Sequence, residues 1–475
     1  MNTPIYLALC RYRDEKNVLL HMPGHKGGRG FSQSELAAIA SLDFTEVPGL
    51  DDLHYPQGPL LEAQQLAAKA WGADTSYFLV NGATSGIHSM LMSLGNEADI
   101  LVPRNVHRSF LGGIILSGAR PIFVDCVSDS SLEIAVAVDP DEIRKGMLSC
   151  SNLKGVFVES PTYYGTVNDI KGILKFTEPQ GIPLMVDEAH GSHFAFHPDY
   201  PDSALAEGAQ ACVHGLHKTI PVLTQGGILH LAASFPWRER VQASYDLLTS
   251  TSPSYPLMAS IDAGRAVMEE MGEELLERAK EWGEICRRGI NGIPGFRCRD
   301  AEFSQARGVA GYDPLKVLVE IVGLDTNGAE LSYLLRKRYG VQMELAGENY
   351  ILAMFSPFSS EQDWLALQKA LEDLAAQIPG KNRNRISLPP FPPLPRLAIT
   401  PRNAFLSDSK TVMIKESIGL ISTEMVAAYP PGIPCLVPGE VITAEVVEYL
   451  EYLKSRNIVV HGLADNNFDK IRVVK

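Results

Sequence analysis

From residue 75 onward the chain repeats one pattern: a short β-branched or otherwise apolar run, a break of small residues, then an amphipathic stretch. "YFLV" (77–80) runs into "ATSGIHSMLMSLG", "DILVP" (99–103) precedes "HRSFLGGIILSG", and "PIFVDCV", "GVFVES" and "PLMVDEA" follow. Parallel strands need a crossover between them, and a helix is the usual filling, so the pattern predicts an α/β fold on a mainly parallel sheet. Ligands of such sheets meet the carboxyl ends of the strands, where loops hand over to helix N-termini. Functional residues are therefore expected just past each apolar run.

Beyond Gly227 the pattern changes. "ILHLAA" predicts a strand, while "WRERVQASYDLL" and 257–291 predict helices. "KVLVEIVG" (316–323), "AELSYLLRKRY" and "EQDWLALQKALEDLAAQI" predict a smaller α+β unit. Five prolines between Pro389 and Pro395 can neither continue a helix nor sit in a central strand, so they mark a connector. These breaks divide the 475 residues into an N-terminal segment 1–60, a large domain 61–250, a small α+β domain 251–378, a linker 379–396 and a C-terminal α+β domain 397–475.

Composition narrows the partners. A formal charge of −14 leaves no basic face for nucleic acid. No window holds the roughly 20 apolar residues of a membrane span. The seven cysteines are scattered without a CxxC pair, and the first residues lack the basic start of a signal peptide, so a cytoplasmic protein with reduced thiols is expected.

Three stretches carry chemistry. In "VNGATSGIHSML" (80–91) a strand enters a small-residue loop that opens a helix. Gly82 and Gly86 would let the backbone approach a ligand, Thr84 and Ser85 offer hydroxyls, and the helix N-terminus presents unpaired N–H groups and a positive dipole end, which suits a phosphate. A tight turn with a Ser/Thr cap is the plainer alternative. In "IPLMVDEAHGSH" (182–193) an apolar strand ends in Asp187 and Glu188, and a strand-end carboxylate can keep a ring nitrogen protonated. His190, His193 and His197 follow without metal-protease spacing, so no metal is expected there. In "HGLHKTIPVLTQGG" (214–227) Lys218 lies between apolar segments, where a lysine either reaches water or loses proton affinity, and only a neutral amine attacks a carbonyl. Taken singly, Lys218 reads as a partly exposed lysine. Together the three supply a phosphate cup, a partner for a pyridine nitrogen and an amine for an aldehyde, which are the handles of pyridoxal 5′-phosphate. "VPRNVHRSF" (102–110) adds His107, whose imidazole could stack on such a ring.

At this point the residues resemble a known family, the pyridoxal-phosphate-dependent ornithine/lysine/arginine decarboxylases of aspartate-aminotransferase fold (fold type I), in their short bacterial form. The resemblance runs through "HMPGHKGG" (21–28), "DFTEVPGLDDLHYPQGPL" (43–60), "NGATSGI", "PRNVHRS", "SPTYYGTV" (160–167), "VDEAHGSH", His217-Lys218, "TPRNAF" (400–405) and "YPPGIPCLVPGE" (429–440). It implies that Lys218 binds the cofactor aldehyde, Asp187 the pyridinium nitrogen and Ala83, Thr84 and Ser85 the phosphate. It also implies that His107 stacks on the ring and that His190 and His217 lie against the cofactor. Glu440 is a candidate contact to the substrate's distal cation. The family further implies a homodimer, or a higher homo-oligomer, whose N-terminal loops reach shared active sites. One departure stands out: where family members usually read Ser-Thr-His-Lys, this chain has Gly215-Leu216-His217-Lys218, without the hydroxyl that contacts the phosphate.

The expected activity is α-decarboxylation of a basic amino acid in polyamine biosynthesis. Arginine, giving agmatine and carbon dioxide, is favoured over lysine and ornithine because the short form and its C-terminal "AAYPPGIPCLVPGE" resemble those of arginine decarboxylases. Three competitors differ in chemistry: an aminotransferase or aldolase-type enzyme on the same fold, a binding protein that has lost catalysis, and a zinc hydrolase built on His190, His193, His214 and His217.

Overall fold

The computed structural model describes residues 1–300, 302–380, 391–428, 433–455, 458–465 and 467–475. Much of the expected linker, including Pro389 and Pro390, and all of "YPPG" (429–432) lie outside the described residues. The chain forms two compact units. One comprises 1–93, 185–278 and 356–358, the other 94–184, 279–355 and 359–475.

In the first unit, strand Leu184–Asp187 pairs in parallel with Ala211–His214 (Met185 opposite Ala211). Ala211–His214 then pairs antiparallel with Gly227–Leu231, and that strand antiparallel with Thr75–Leu79. Almost every residue of these strands is buried, which is why they read as unbroken apolar runs rather than alternating ones. Helix Gly82–Leu94 lies directly on them. A Cβ added at Gly86 would come within 2.7 Å of Leu79 Cδ1 and 2.8 Å of Val213 Cγ2, so Gly86 serves helix-on-sheet packing and not, as expected, approach to a ligand. Gly82, at φ +70, does make the left-handed turn into the helix.

The expected N-terminal loop is tied down by one carboxylate. Asp51 accepts backbone N–H groups from Asp52, Gln57, Gly58 and Leu60 at 2.7–3.1 Å. It thereby caps helix Pro59–Trp71, whose buried Leu60, Ala63, Gln64, Ala67, Ala68 and Trp71 follow the helical period. Gly72 ends that helix in a left-handed conformation, and the Trp71 indole N–H reaches Ser192 O at 2.9 Å.

In the second unit, Asp99–Pro103 pairs in parallel with both Arg120–Val124 and Leu153–Glu159. A separate antiparallel sheet joins Phe296–Cys298, Lys316–Ile321, Tyr350–Met354 and Leu345–Ala346 in that order, with helices Gly328–Tyr339 and Glu361–Gln377 following the expected amphipathic segments. Toward the C-terminus, Ser409–Met413 pairs with Lys470–Val474, and helix Ala444–Ser455 buries Val446, Val447, Leu450 and Leu453 in a core with Val426, Leu436 and Val473.

Glu440 corrects an expectation. It is 1% exposed, and its two oxygens accept the two terminal nitrogens of Arg104 at 2.7 and 2.9 Å. Val437 N also donates to it at 2.8 Å, while Arg104 donates from Nε to Pro434 O and lies over the Phe123 ring. A carboxylate committed to a forked pair inside the unit has nothing left to offer a substrate cation, so its role here is structural.

Two stability predictions follow from these carboxylates. Glu440→Ala strands a buried guanidinium and should lower unfolding stability by about 3–5 kcal/mol in a denaturant titration, while the Michaelis constant for substrate stays near wild type. Asp51→Ala should cost about 1–3 kcal/mol, and Asp51→Asn, which keeps one acceptor oxygen, should cost less.

Candidate active site

The first unit gathers most of the expected site residues along one line of strand ends. Asp187 is the last residue of Leu184–Asp187, buried, and accepts Ala189 N at 3.1 Å, which fixes its carboxylate. The next strand leaves the sheet at His214 and runs through Gly215 into a tight turn, Leu216–Lys218. The turn is closed by Lys218 N donating to Gly215 O at 2.9 Å. Lys218 is half-buried, and its amine lies 3.1 Å from His190 Nε2. A half-buried lysine whose amine meets an imidazole fits the expected reactive amine.

His217 is fixed through its other side. Its Nδ1 lies 2.9 Å from Gly226 O, and since a carbonyl only accepts, Nδ1 carries a proton that is committed to that oxygen.

The residues expected at the phosphate open helix Gly82–Leu94. Thr84 is exposed, while Ser85 is buried and donates from Oγ to Gly82 O at 3.0 Å. The fit of an anion is tested by Gly227: a Cβ there would lie 3.0 Å from Ala83 N and 2.9 Å from His214 O. A bare Cα thus keeps the Ala83 amide clear at a helix N-terminus, a cradle that any side chain at 227 would fill. With a carboxylate for a ring nitrogen and an amine for an aldehyde on the neighbouring strand ends, the residues present fit pyridoxal 5′-phosphate.

His107 belongs to the second unit, where it caps helix Arg108–Ser117. Its Nδ1 accepts Ser109 N at 3.3 Å and meets Ser109 Oγ at 2.7 Å, and its ring is exposed.

The sequence did not announce what lies on the reverse face. Glu188, pointing opposite to Asp187, is fully enclosed. One oxygen accepts Ala204 N at 2.9 Å; the other meets His214 Nε2 at 2.8 Å and Cys212 Sγ at 3.2 Å. Burial and the facing Glu188 carboxylate push the Cys212 thiol well above its ordinary range. His230, packed edge-on to His214 at 4.9 Å and bonded through Nδ1 to Ser76 Oγ, is held neutral by burial. The signal was present: Cys212 and His214 share one face by the period of two, as do Glu188 and its strand-mates, but their apolar neighbours masked it.

Metal chemistry finds no support in the four histidines considered for zinc. Among the described residues, the donor groups that could hold an ion are Glu188–Cys212–His214 and His197–Asp199–Glu277, and neither unites His190, His193, His214 and His217.

Two family models match the chain: "Orn/Lys/Arg decarboxylase, major domain" over residues 3–363 and "Orn/Lys/Arg decarboxylase, C-terminal domain" over 389–465. Arginine decarboxylase of Bacillus subtilis is 35% identical over 479 aligned residues, covering 100% of this chain and 98% of that protein. Arginine decarboxylase of Halalkalibacterium halodurans is 34% identical with the same coverage. Among solved structures, the lysine decarboxylase LdcF of Francisella novicida superposes with a TM-score of 0.88 at 20% identity, covering 100% of this chain and 81% of that one, and so shares the fold. Matched from residue 3 to residue 465 and aligned end to end with its relatives, the chain belongs to the Orn/Lys/Arg decarboxylase family.

Proposed function

We propose that the protein is a pyridoxal-phosphate-dependent α-decarboxylase whose substrate is arginine and whose products are agmatine and carbon dioxide. The observation that carries this reading is the convergence on adjacent strand ends of Asp187, Lys218 with its amine on His190, and the open Ala83 amide. Arginine is preferred over lysine and ornithine because the arginine decarboxylases match at 34–35% identity, against 25% for the lysine decarboxylase LdcA of Pseudomonas aeruginosa.

Each residue has a task that follows from its setting. The amides at the start of helix Gly82–Leu94 and the Thr84 hydroxyl hold the phosphate. Asp187, immobilised by Ala189 N, keeps a proton on the ring nitrogen. When bound, the cofactor supplies an electron-withdrawing ring that accepts the electron pair left behind as carbon dioxide departs. Lys218 would bond the aldehyde, and its freed amine would carry the proton to the substrate's Cα. It suits that last step better than His217, whose proton is committed to Gly226 O. Stacking of His107 on the ring is part of the same proposal, by resemblance to the family.

The division into five segments is part of this reading; the two family matches meet between residues 363 and 389, around the proline-rich connector. So are a cytoplasmic location, a place in polyamine formation and a homodimer or larger homo-oligomer. Exposed Val18, Leu20, Met22 and Tyr55 on the N-terminal loops support the oligomer, since such side chains favour being covered.

Incubating the purified protein with pyridoxal phosphate and each basic amino acid, and identifying the amine released, should give agmatine from arginine; a keto acid product would make the enzyme an aminotransferase instead. Lys218→Ala should abolish turnover together with the cofactor's visible absorbance. Asp187→Asn should lower kcat by about 10²–10³-fold, the scale of losing one preorganised electrostatic partner. Sedimentation should show at least a dimer, which Leu20→Glu weakens.

A further inference from the structure

We propose that Gly215 is a positioning residue for the reactive lysine: its bare Cα forms a notch in which the Lys218 stem lies, so that a Lys218 amine not bonded to the cofactor is parked on His190. The inference rests on reading Lys218 as the cofactor-binding lysine.

The backbone does not ask for glycine at this position. Gly215 sits at φ −92°, ψ 77°, a conformation that other residues adopt freely. It is also the residue that caps the turn Leu216–Lys218, where serine, aspartate or asparagine would add a side-chain hydrogen bond that glycine forgoes.

The space around it does account for the glycine. A Cβ would lie 3.1 Å from Ala189 O, 3.3 Å from Ala189 Cβ and 3.3 Å from Lys218 Cδ, inside the roughly 3.5–4.0 Å at which carbon atoms rest against one another. Ala189 is the rigid wall of the notch: it is buried, and its N–H is held by Asp187. Lys218 Cδ is the wall that can move. A displacement there carries through to Nζ, whose 3.1 Å contact with His190 Nε2 is its one hydrogen bond among the described residues. Adding a Cβ at 215 therefore pushes the lysine stem aside by a few tenths of an ångström and strains the contact of its amine with the imidazole.

Such a parking place has a chemical use. When the substrate's ammonium replaces the lysine at the cofactor's aldehyde carbon, one carbon–nitrogen double bond forms as another breaks. With the doubly bonded nitrogen protonated before and after the exchange, two hydrogens of the incoming ammonium would end on the lysine nitrogen, and the charges balance. The released Lys218 is then an ammonium in a half-buried site, and it needs an acceptor within reach. His190 Nε2, with the ring proton on Nδ1, is that acceptor. Holding the lysine there keeps it from recapturing the cofactor and keeps its proton close by.

The test compares Gly215→Ala, Gly215→Ser, His190→Asn and the Gly215→Ala/His190→Asn double variant of the full-length protein. In cofactor-free wild type, the imidazole nitrogen shifts of His190 should show a proton on Nδ1 and a hydrogen bond at Nε2, and Gly215→Ala should weaken the latter. With cofactor, stopped-flow absorbance after mixing with arginine reads the exchange of lysine for substrate. Gly215→Ala and Gly215→Ser should each slow it about tenfold, His190→Asn should slow the same step, and the double variant should be no slower than the worse single variant. A wild-type exchange rate in both Cβ-bearing variants overturns the inference, and so do additive losses in the double variant. Failure of the underlying reading looks different: the wild-type protein would then develop no cofactor absorbance and release no amine.

Discussion

The site depends on two neighbouring carboxylates that a strand turns to opposite faces. Asp187 ends its strand toward the reactive side and Glu188 follows toward the interior, and each is immobilised by different partners: Ala189 N for the first, Ala204 N, His214 and Cys212 for the second. Burying a carboxylate costs several kcal/mol unless hydrogen bonds replace the lost water, so neither could stand here without its partners. Because Glu188 binds His214 at the end of the adjacent strand, the same interaction fixes where that strand stops and where Gly215 and Lys218 begin. The geometry of the amine is set, at one remove, by a carboxylate that never faces it.

Much of this was legible in the sequence. The strands ending in Asp187 and His214, the small-residue opening of helix Gly82–Leu94 and the turn carrying Lys218 lie where unbroken apolar runs and their punctuation placed them. Composition and period reveal such features because a strand buried on both faces has no polar alternation to disguise it. One strand nevertheless runs against the others, Gly227–Leu231, which pairs antiparallel on both of its sides, and hydropathy carries no information about strand direction.

What the sequence hid were pairings between distant residues. Glu440 sits in a Pro- and Gly-punctuated loop and invites a functional role, yet Arg104, more than three hundred residues earlier, takes both its oxygens. Glycines divide in the same way. Gly86 and Gly227 both stand in small-residue stretches, but one lets a helix touch the sheet and the other keeps an amide open for an anion. A missing side chain acquires meaning only from what its Cβ would have struck, and Gly215 is the position where that reasoning reaches the chemistry.

The central claim is that Lys218 is the residue that bonds the cofactor. Reducing the purified protein with borohydride in the presence of pyridoxal phosphate and mapping the modified peptide by mass spectrometry tests it most directly. The account predicts a single pyridoxyl group on Lys218, prevented by Lys218→Ala; a label on another lysine, or none at all, would contradict it.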